Sequence, residues 1–335
     1  MKKLIARVID KVIGTFTSKS LYLSDQHYIL ERSDSASGQR DWSVTHAGLD
    51  KLLYQGEGEK VGILDTGVDV SHSDLKGRVE LVNYVADSAD TDEMGHGTFC
   101  AGEILGNGVG NGIGKHGVIG VAPMARGLCC KVLHGDSRDG SLVNFDKVLC
   151  SAIEKCYQEG CGVISMSIGF DSRSYMVENA LKEAVNHGII PVAACGNDGM
   201  RGSLSKVYPA SYTSCISVSS ANEKGMPSWF STVGKGEIVE EQPEVAVASL
   251  EYYWGCFPPN RYGKMIGTSM ACPIVAGTAL LWREAMRKKG MLPNGPDVLK
   301  QFRVWLKSVS RDVNENGWDS SLGWGVLMIK EGDLC

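Results

Sequence analysis

Five short, almost wholly apolar runs, spaced by longer segments of helical character, restrict this chain more than any other feature. They are VGILD at 61–65, RGLCCKVL at 126–133, VISMSI at 163–168, IIPVAA at 189–194 and CISVSS at 215–220. Each has the length of a strand, and none alternates polar with apolar residues as a sheet with one wet face does. Helical segments lie between them at 98–106, 142–159 and 174–187, and another follows at 274–286. The second and third end at Gly160 and Gly188, where glycine stops a helix by taking a positive φ. Strands buried on both faces and separated by helices predict an α/β fold: a mainly parallel central sheet in three layers, with helices on both faces. A length of 335 residues accommodates one such domain over 41–335, with residues 1–40 as an extension.

Composition excludes several function classes. Hydrophobic residues make up 43% and charged residues 22%, the balance of a globular chain with a sizeable core. The net charge is −5 and no basic tract longer than a few residues occurs, so a nucleic-acid partner has no electrostatic footprint. No run of 18 apolar residues occurs, so no transmembrane segment is expected. Within 1–16, Leu4, Ile5, Val8, Ile9, Val12, Ile13 and Phe16 form a stripe at helical spacing. That amphipathic helix packs on a protein surface or makes surface contact with a membrane. Arg7, Asp10 and Lys11 interrupt the apolar core a signal peptide needs, and no small-residue cleavage site follows, so the expected location is cytoplasmic. The eleven cysteines agree: most fall in apolar runs, vicinal Cys129 and Cys130 point to opposite faces of a strand, and no Cys-x-x-Cys pair suggests a zinc ribbon. Reduced, buried thiols are expected.

Three polar residues occupy positions suited to chemistry. Asp65 ends an apolar strand and precedes Thr66-Gly67, at the rim where parallel sheets bind ligands. His96 lies between Gly95 and Gly97 at a turn into a helix. Ser269, in Gly267-Thr268-Ser269-Met270-Ala271-Cys272-Pro273, stands just before a long apolar helix, where the helix dipole favours developing negative charge. Taken singly they read as a turn aspartate, an ordinary histidine and an N-cap serine. In the order Asp, His, Ser, each in a glycine-bearing turn, they suggest nucleophilic catalysis.

LDTG, GHGTFCAG and GTSMACP, with AACGN at 193–197 and GVAP at 120–123, resemble the signature segments of the subtilisin-like serine proteases; the likeness runs from about Trp42 to Trp324. The resemblance implies a serine endopeptidase acting on polypeptide substrates. Asp65, His96 and Ser269 would be its triad and Asn197 its oxyanion-hole residue. An extended substrate would lie between Ser167-Ile168-Gly169 and Gly140-Ser141, with Ala194, Cys195, Gly196 and Asp198 walling the primary pocket. Val207, near the base of that pocket, would make it shallow, giving a preference for medium apolar residues. Phe99 stands where a second histidine is usual and Ile274 where another is, but neither change removes a catalytic group. The rival readings are a scaffold that keeps the fold without turnover, opposed by the presence of all four catalytic residues, and the acid-active sedolisin group, excluded by GHGT.

The resemblance also implies a structural calcium. Asp74 matches the family's ligand position, and the loop 106–112 offers Asn107 and Asn111. A glycine loop without metal is the equal alternative. The extension 1–40 is too short to bury a core of its own. It resembles the short extension of intracellular subtilisins, though without their Leu-Ile-Pro-Tyr segment. A zymogen is expected, in which the helix docks while the polar linker 17–40 crosses the cleft as a removable strand; anchoring to a membrane or partner is the alternative. The aromatic-rich segment 249–264 is expected to be a packed structural loop rather than a rim of the cleft.

Overall fold

The computed structural model describes residues 42–334, apart from Asp87 and the segments 111–116, 135–144, 200–206, 235–241, 250–252 and 314–315, together with 21–23 and 31–33. In chain order the elements are β1 (Leu21–Leu23), β2 (Glu31–Ser33), α1 (Trp42–His46), β3 (Lys60–Asp65), β4 (Val79–Asn83), α2 (His96–Leu105), β5 (Arg126–Lys131) and α3 (Phe145–Gln158). There follow β6 (Val163–Met166), β7 (Ile168–Phe170), α4 (Tyr175–Asn186), β8 (Ile190–Ala194), β9 (Ile216–Ala221) and β10 (Val245–Ala248). The last are β11 (Tyr253–Phe257), β12 (Arg261–Met265), α5 (Thr268–Lys288), α6 (Asp297–Ser308), β13 (Ser310–Arg311) and β14 (Val326–Leu327).

Nine strands form the central sheet in the order β13-β14-β10-β9-β8-β6-β3-β5-β4. Every pairing is parallel except the short one between β13 and β14. Successive side chains of a strand enter different layers. Val61 and Ile63 join a core containing Ile274, Leu281, Trp282 and Phe302 from α5 and α6. Leu64 joins the opposite core with Leu149, Ile153, Val177 and Leu181 from α3 and α4. Burial on both faces is why these strands carry no polar alternation. The sheet is therefore mainly parallel with helices on both sides, the architecture expected from the spacing of apolar runs.

The helix carrying Ser269 begins earlier than its apolar pattern indicates, at Thr268 rather than 274, with Pro273 inside it. Proline has no N–H to return to the carbonyl four residues back, which is that of Ser269. The Ser167 hydroxyl donates to that carbonyl instead at 2.9 Å, joined by the Cys100 thiol at 3.7 Å. Pro273 thus frees a carbonyl that ties the start of α5 to the end of β6 and to α2.

The segment around 249–264 is an antiparallel hairpin, β11 with β12, packed on the helix that follows His96. A Cβ at Gly102 would lie 2.7 Å from the Cys256 sulfur, so hairpin and helix meet closely. Among the described residues all ten cysteines are free, and all but Cys150 are buried. No described helix is long and apolar enough to cross a membrane.

Candidate active site

The strand order reverses at β3, whose neighbours are β5 on one side and β6 on the other. Carboxyl ends of strands at such a point border the crevice where open α/β sheets bind ligands. Asp65 ends β3 there. Its Oδ1 accepts the Thr66 N–H at 2.7 Å and contacts His96 Nδ1 at 2.6 Å, with both side chains fully buried. A carboxylate accepts only, so Nδ1 carries the proton and Nε2 presents its lone pair.

The turn that carries the imidazole is held by Asp92, a residue the motif reading did not single out. Asp92 is buried, and its Oδ1 accepts the Thr66 hydroxyl at 2.8 Å and the amides of Met94 and Gly95 at 3.1 and 2.8 Å. Its Oδ2 accepts the Thr98 amide at 2.8 Å and hydroxyl at 2.7 Å. Burial pushes the Asp92 carboxyl above its ordinary range, while the Thr98 and Gly95 donors oppose that rise. The carboxylate caps the turn into α2 and, through Thr66, joins it to the residue beside Asp65. An aspartate just before a Gly-His-Gly turn was the sequence signal available. Gly95 takes φ 87°, a conformation an L side chain rarely adopts, and a Cβ there would overlap Phe257.

Ser269 lies in the first turn of α5, and its hydroxyl donates to the Ser167 carbonyl at 3.3 Å. The Cys100 sulfur is 4.0 Å from each His96 ring nitrogen and 3.7 Å from the Ser269 carbonyl, so one thiol touches both arms of the site. Burial, reinforced by the Asp65 charge, pushes that thiol well above its ordinary pKa, so it stays protonated.

The Asn197 carbonyl oxygen accepts the backbone N–H of Thr268 at 3.1 Å and its hydroxyl at 3.0 Å. Anchored by its oxygen, the side chain turns its NH₂ away from Thr268. Thr268 was not singled out in the sequence; its place beside Ser269 was the clue.

Ser167 is buried at the end of β6, while Ile168 and Gly169 lie in β7, which leaves the central sheet. There β7 pairs antiparallel with β1 of the extension, Leu21 opposite Phe170, Tyr22 opposite Gly169 and Leu23 opposite Ile168. Residues 31–33 of the extension pair in turn with β12. Ala194 ends β8, and Cys195 and Gly196 follow it. The Cys195 thiol lies 3.5 Å from the Ser231 hydroxyl, and the Asp198 amide donates to the Thr232 hydroxyl at 3.0 Å. A Cβ at Gly196 would lie 2.8 Å from Val207, which sets that valine against Gly196. Gly140 and Ser141 lie outside the described residues, as does Asn111.

The donor set around Asp74 does not fit a calcium ion. Both carboxylate oxygens accept hydrogen bonds, from the amides of Gly110 and Val118 at 2.8 Å each and from the Tyr262 hydroxyl at 2.9 Å. The Asn107 side-chain oxygen accepts the Val109 N–H at 3.0 Å, closing a local turn instead of facing a cation. Calcium needs inward-pointing oxygen lone pairs, and this corner presents hydrogens. Among the described residues, the oxygens of Asp74 and Asn107 on which the calcium expectation rests are thus engaged with hydrogen-bond donors.

A parallel-sheet domain that sets a buried carboxylate–imidazole pair beside a helix-borne serine has the build of a serine hydrolase. The subtilase family model matches residues 56–325. Over 233 residues the chain is 40% identical to Subtilisin DY of Bacillus licheniformis, covering 68% of this chain and 77% of that protein. It is 37% identical over 235 residues to the Major intracellular serine protease of Bacillus subtilis (strain 168), 68% of this chain and 69% of that one. With Subtilisin NAT of Bacillus subtilis subsp. natto it shares 37% identity over 231 residues, 68% of this chain but 56% of that protein. The chain belongs to the subtilase family. It is a serine endopeptidase, a peptide-bond hydrolase.

Proposed function

We propose that Asp65, His96 and Ser269 act as a triad that cleaves polypeptides through an acyl-enzyme, and that the chain is a cytoplasmic zymogen held by its own extension. The observation that carries the chemistry is the buried 2.6 Å contact between Asp65 and His96, which leaves Nε2 as the base. Ser269 Oγ attacks the peptide carbonyl carbon as its proton passes to His96 Nε2. The oxyanion takes hydrogen bonds from the Asn197 NH₂ and the Ser269 N–H. Collapse breaks the C–N bond, and His96 returns the proton to the leaving amine. Water, deprotonated by His96, then attacks the acyl carbon, and Ser269 leaves with its proton restored.

Substrate would add as a strand to β7, with main-chain bonds supplying affinity and side-chain pockets supplying selection. Val207 against Gly196 narrows the primary pocket, favouring medium apolar residues over Trp or Arg. Antiparallel pairing of β1 with β7 supports the zymogen reading, since the extension then occupies the edge a substrate needs. Leu23, the last residue of that register, lies opposite Ile168, next in the chain to Ser167, so processing is expected just after the strand. A fluorophosphonate probe tests the chemistry. It should label the processed protein once, at Ser269, and leave Ser269→Ala unlabelled, inactive and at full length. Hydrolysis by that variant at the parent rate would end the reading.

A further inference from the structure

Asp74 is a fully buried carboxylate in the loop that leaves Asp65; the Arg78 charge acts on it through space, but the Gly110, Val118 and Tyr262 groups that donate to it are uncharged. A buried charge of this kind persists only where donors replace its water. Oδ1 accepts the Gly110 N–H, and Oδ2 accepts the Val118 N–H and the Tyr262 O–H. The Cys256 S–H stands 3.9 Å from Oδ2 as a weaker fourth donor. Space is closed as well: a Cβ at Gly117 would overlap Asp74 Oδ1 and lie 2.5 Å from Oδ2.

His72 adds a third potential ligand to this corner, whose His, Asp and Cys ligand atoms lie within 4.8 Å of one another. Its nitrogens are engaged, however. Nδ1 accepts the Asp74 N–H at 3.2 Å, so Nε2 carries the proton and donates to the Arg261 carbonyl at 2.8 Å. The ring stands edge-on to Tyr262, with centroids 5.2 Å apart. A transition metal therefore finds no more lone pairs here than calcium does.

The partners belong to two separate parts of the chain. His72 and Asp74 lie in the loop that leaves Asp65, whereas Cys256, Arg261 and Tyr262 lie in the hairpin that leads to Ser269. Asn260, at the hairpin tip, extends the clasp: its N–H donates to Asp69 Oδ2 at 2.9 Å, and its side-chain oxygen accepts the Ser73 N–H at 2.8 Å.

We propose that the Asp74 corner is a metal-free clasp, in which the Tyr262 hydroxyl and Cys256 thiol donate to the carboxylate where a cation would otherwise bind, joining the Asp65 loop to the Ser269 hairpin. The test is thermal unfolding of the full chain in a Ser269→Ala background, which removes self-digestion. Millimolar EDTA should leave the midpoint within about 1 °C. Tyr262→Phe removes one hydrogen bond to a buried charge and should lower the midpoint by about 3–8 °C, equally with and without millimolar calcium. A midpoint that EDTA lowers and calcium restores would overturn the proposal, as would Tyr262→Phe unfolding with the parent. Terbium gives a second readout if that variant fails to fold. Bound at Asp74 it would take excitation from Tyr262, so emission from the parent protein that calcium displaces also overturns the clasp, and its absence upholds it.

Discussion

Thr268→Val isolates what holds Asn197, the side chain proposed to serve the oxyanion. Valine matches threonine in shape, so it deletes the 3.0 Å hydroxyl bond to the Asn197 oxygen and leaves the 3.1 Å bond from the Thr268 backbone. A neutral hydrogen bond contributes about 1 kcal/mol net, and about 1.4 kcal/mol is a factor of ten, so kcat should fall about fivefold. Removing the donor altogether, as in Asn197→Ala, should cost roughly 10²–10³. The assay is steady-state hydrolysis of a peptide anilide by processed enzyme. A residue that only orients Asn197 should change kcat and spare KM, recover with Thr268→Ser, and add nothing in an Asn197→Ala background. If Thr268→Val lowers kcat by the same factor whether or not Asn197 is present, the hydroxyl acts by another route and the orientation argument fails.

Two further outcomes follow from other parts of the molecule. Tyr22→Pro, which places a residue without an N–H opposite Gly169, should raise the initial rate of the uncut chain and hasten its processing; a rate equal to that of the uncut parent removes the latch. Arg173 and then Lys182 hold the buried Glu178 carboxyl at about 2 against an ordinary 4.5. Its folded pKa is depressed, so the stabilisation is complete above about pH 4.5 and disappears as pH falls through 2. Glu178→Gln in the Ser269→Ala background should cost about 1–2 kcal/mol near neutrality, allowing for the half-exposed partners, with the gap closing in acid. A gap that is constant from pH 7 to pH 3 refutes that assignment.

The sheet was readable because burial on both faces leaves an unmistakable mark: VGILD, VISMSI and IIPVAA became β3, β6 and β8 with ends shifted by one or two residues. Edge elements were not readable. Val79–Asn83 at the sheet margin is only partly buried beyond its first residue, and its alternation is too short to stand out. The hairpin of 253–265 went unrecognised because Gly255 and Gly263 interrupt its strands; contact with α2, a tertiary fact, makes it a hairpin. At the site, Asp65, His96 and Ser269 stood out through their glycine-bearing turns. Asp92 and Thr268 act on other side chains through hydrogen bonds, and a linear reading does not reveal which groups a fold brings within 3 Å. The surroundings of Asp74 were hidden for the same reason: Tyr262, 188 positions away, supplies one of the donors that meet it.

Ser269, the proposed nucleophile, stands at one end of a rod that runs through the middle of the molecule. From Thr268 to Trp282 every residue of α5 is buried, and 21 residues of helix extend about 30 Å. A Cβ on Gly277, more than two turns below Ser269, would already meet Val121 at 2.5 Å. The Ser269 hydroxyl therefore has no hinge of its own and is located by the packing of the whole interior. A chain built this way has no means of losing its active centre piecemeal: on heating, catalysis and the native state should vanish in one cooperative event, and the temperature at which activity fails is a direct reading of the stability of the core.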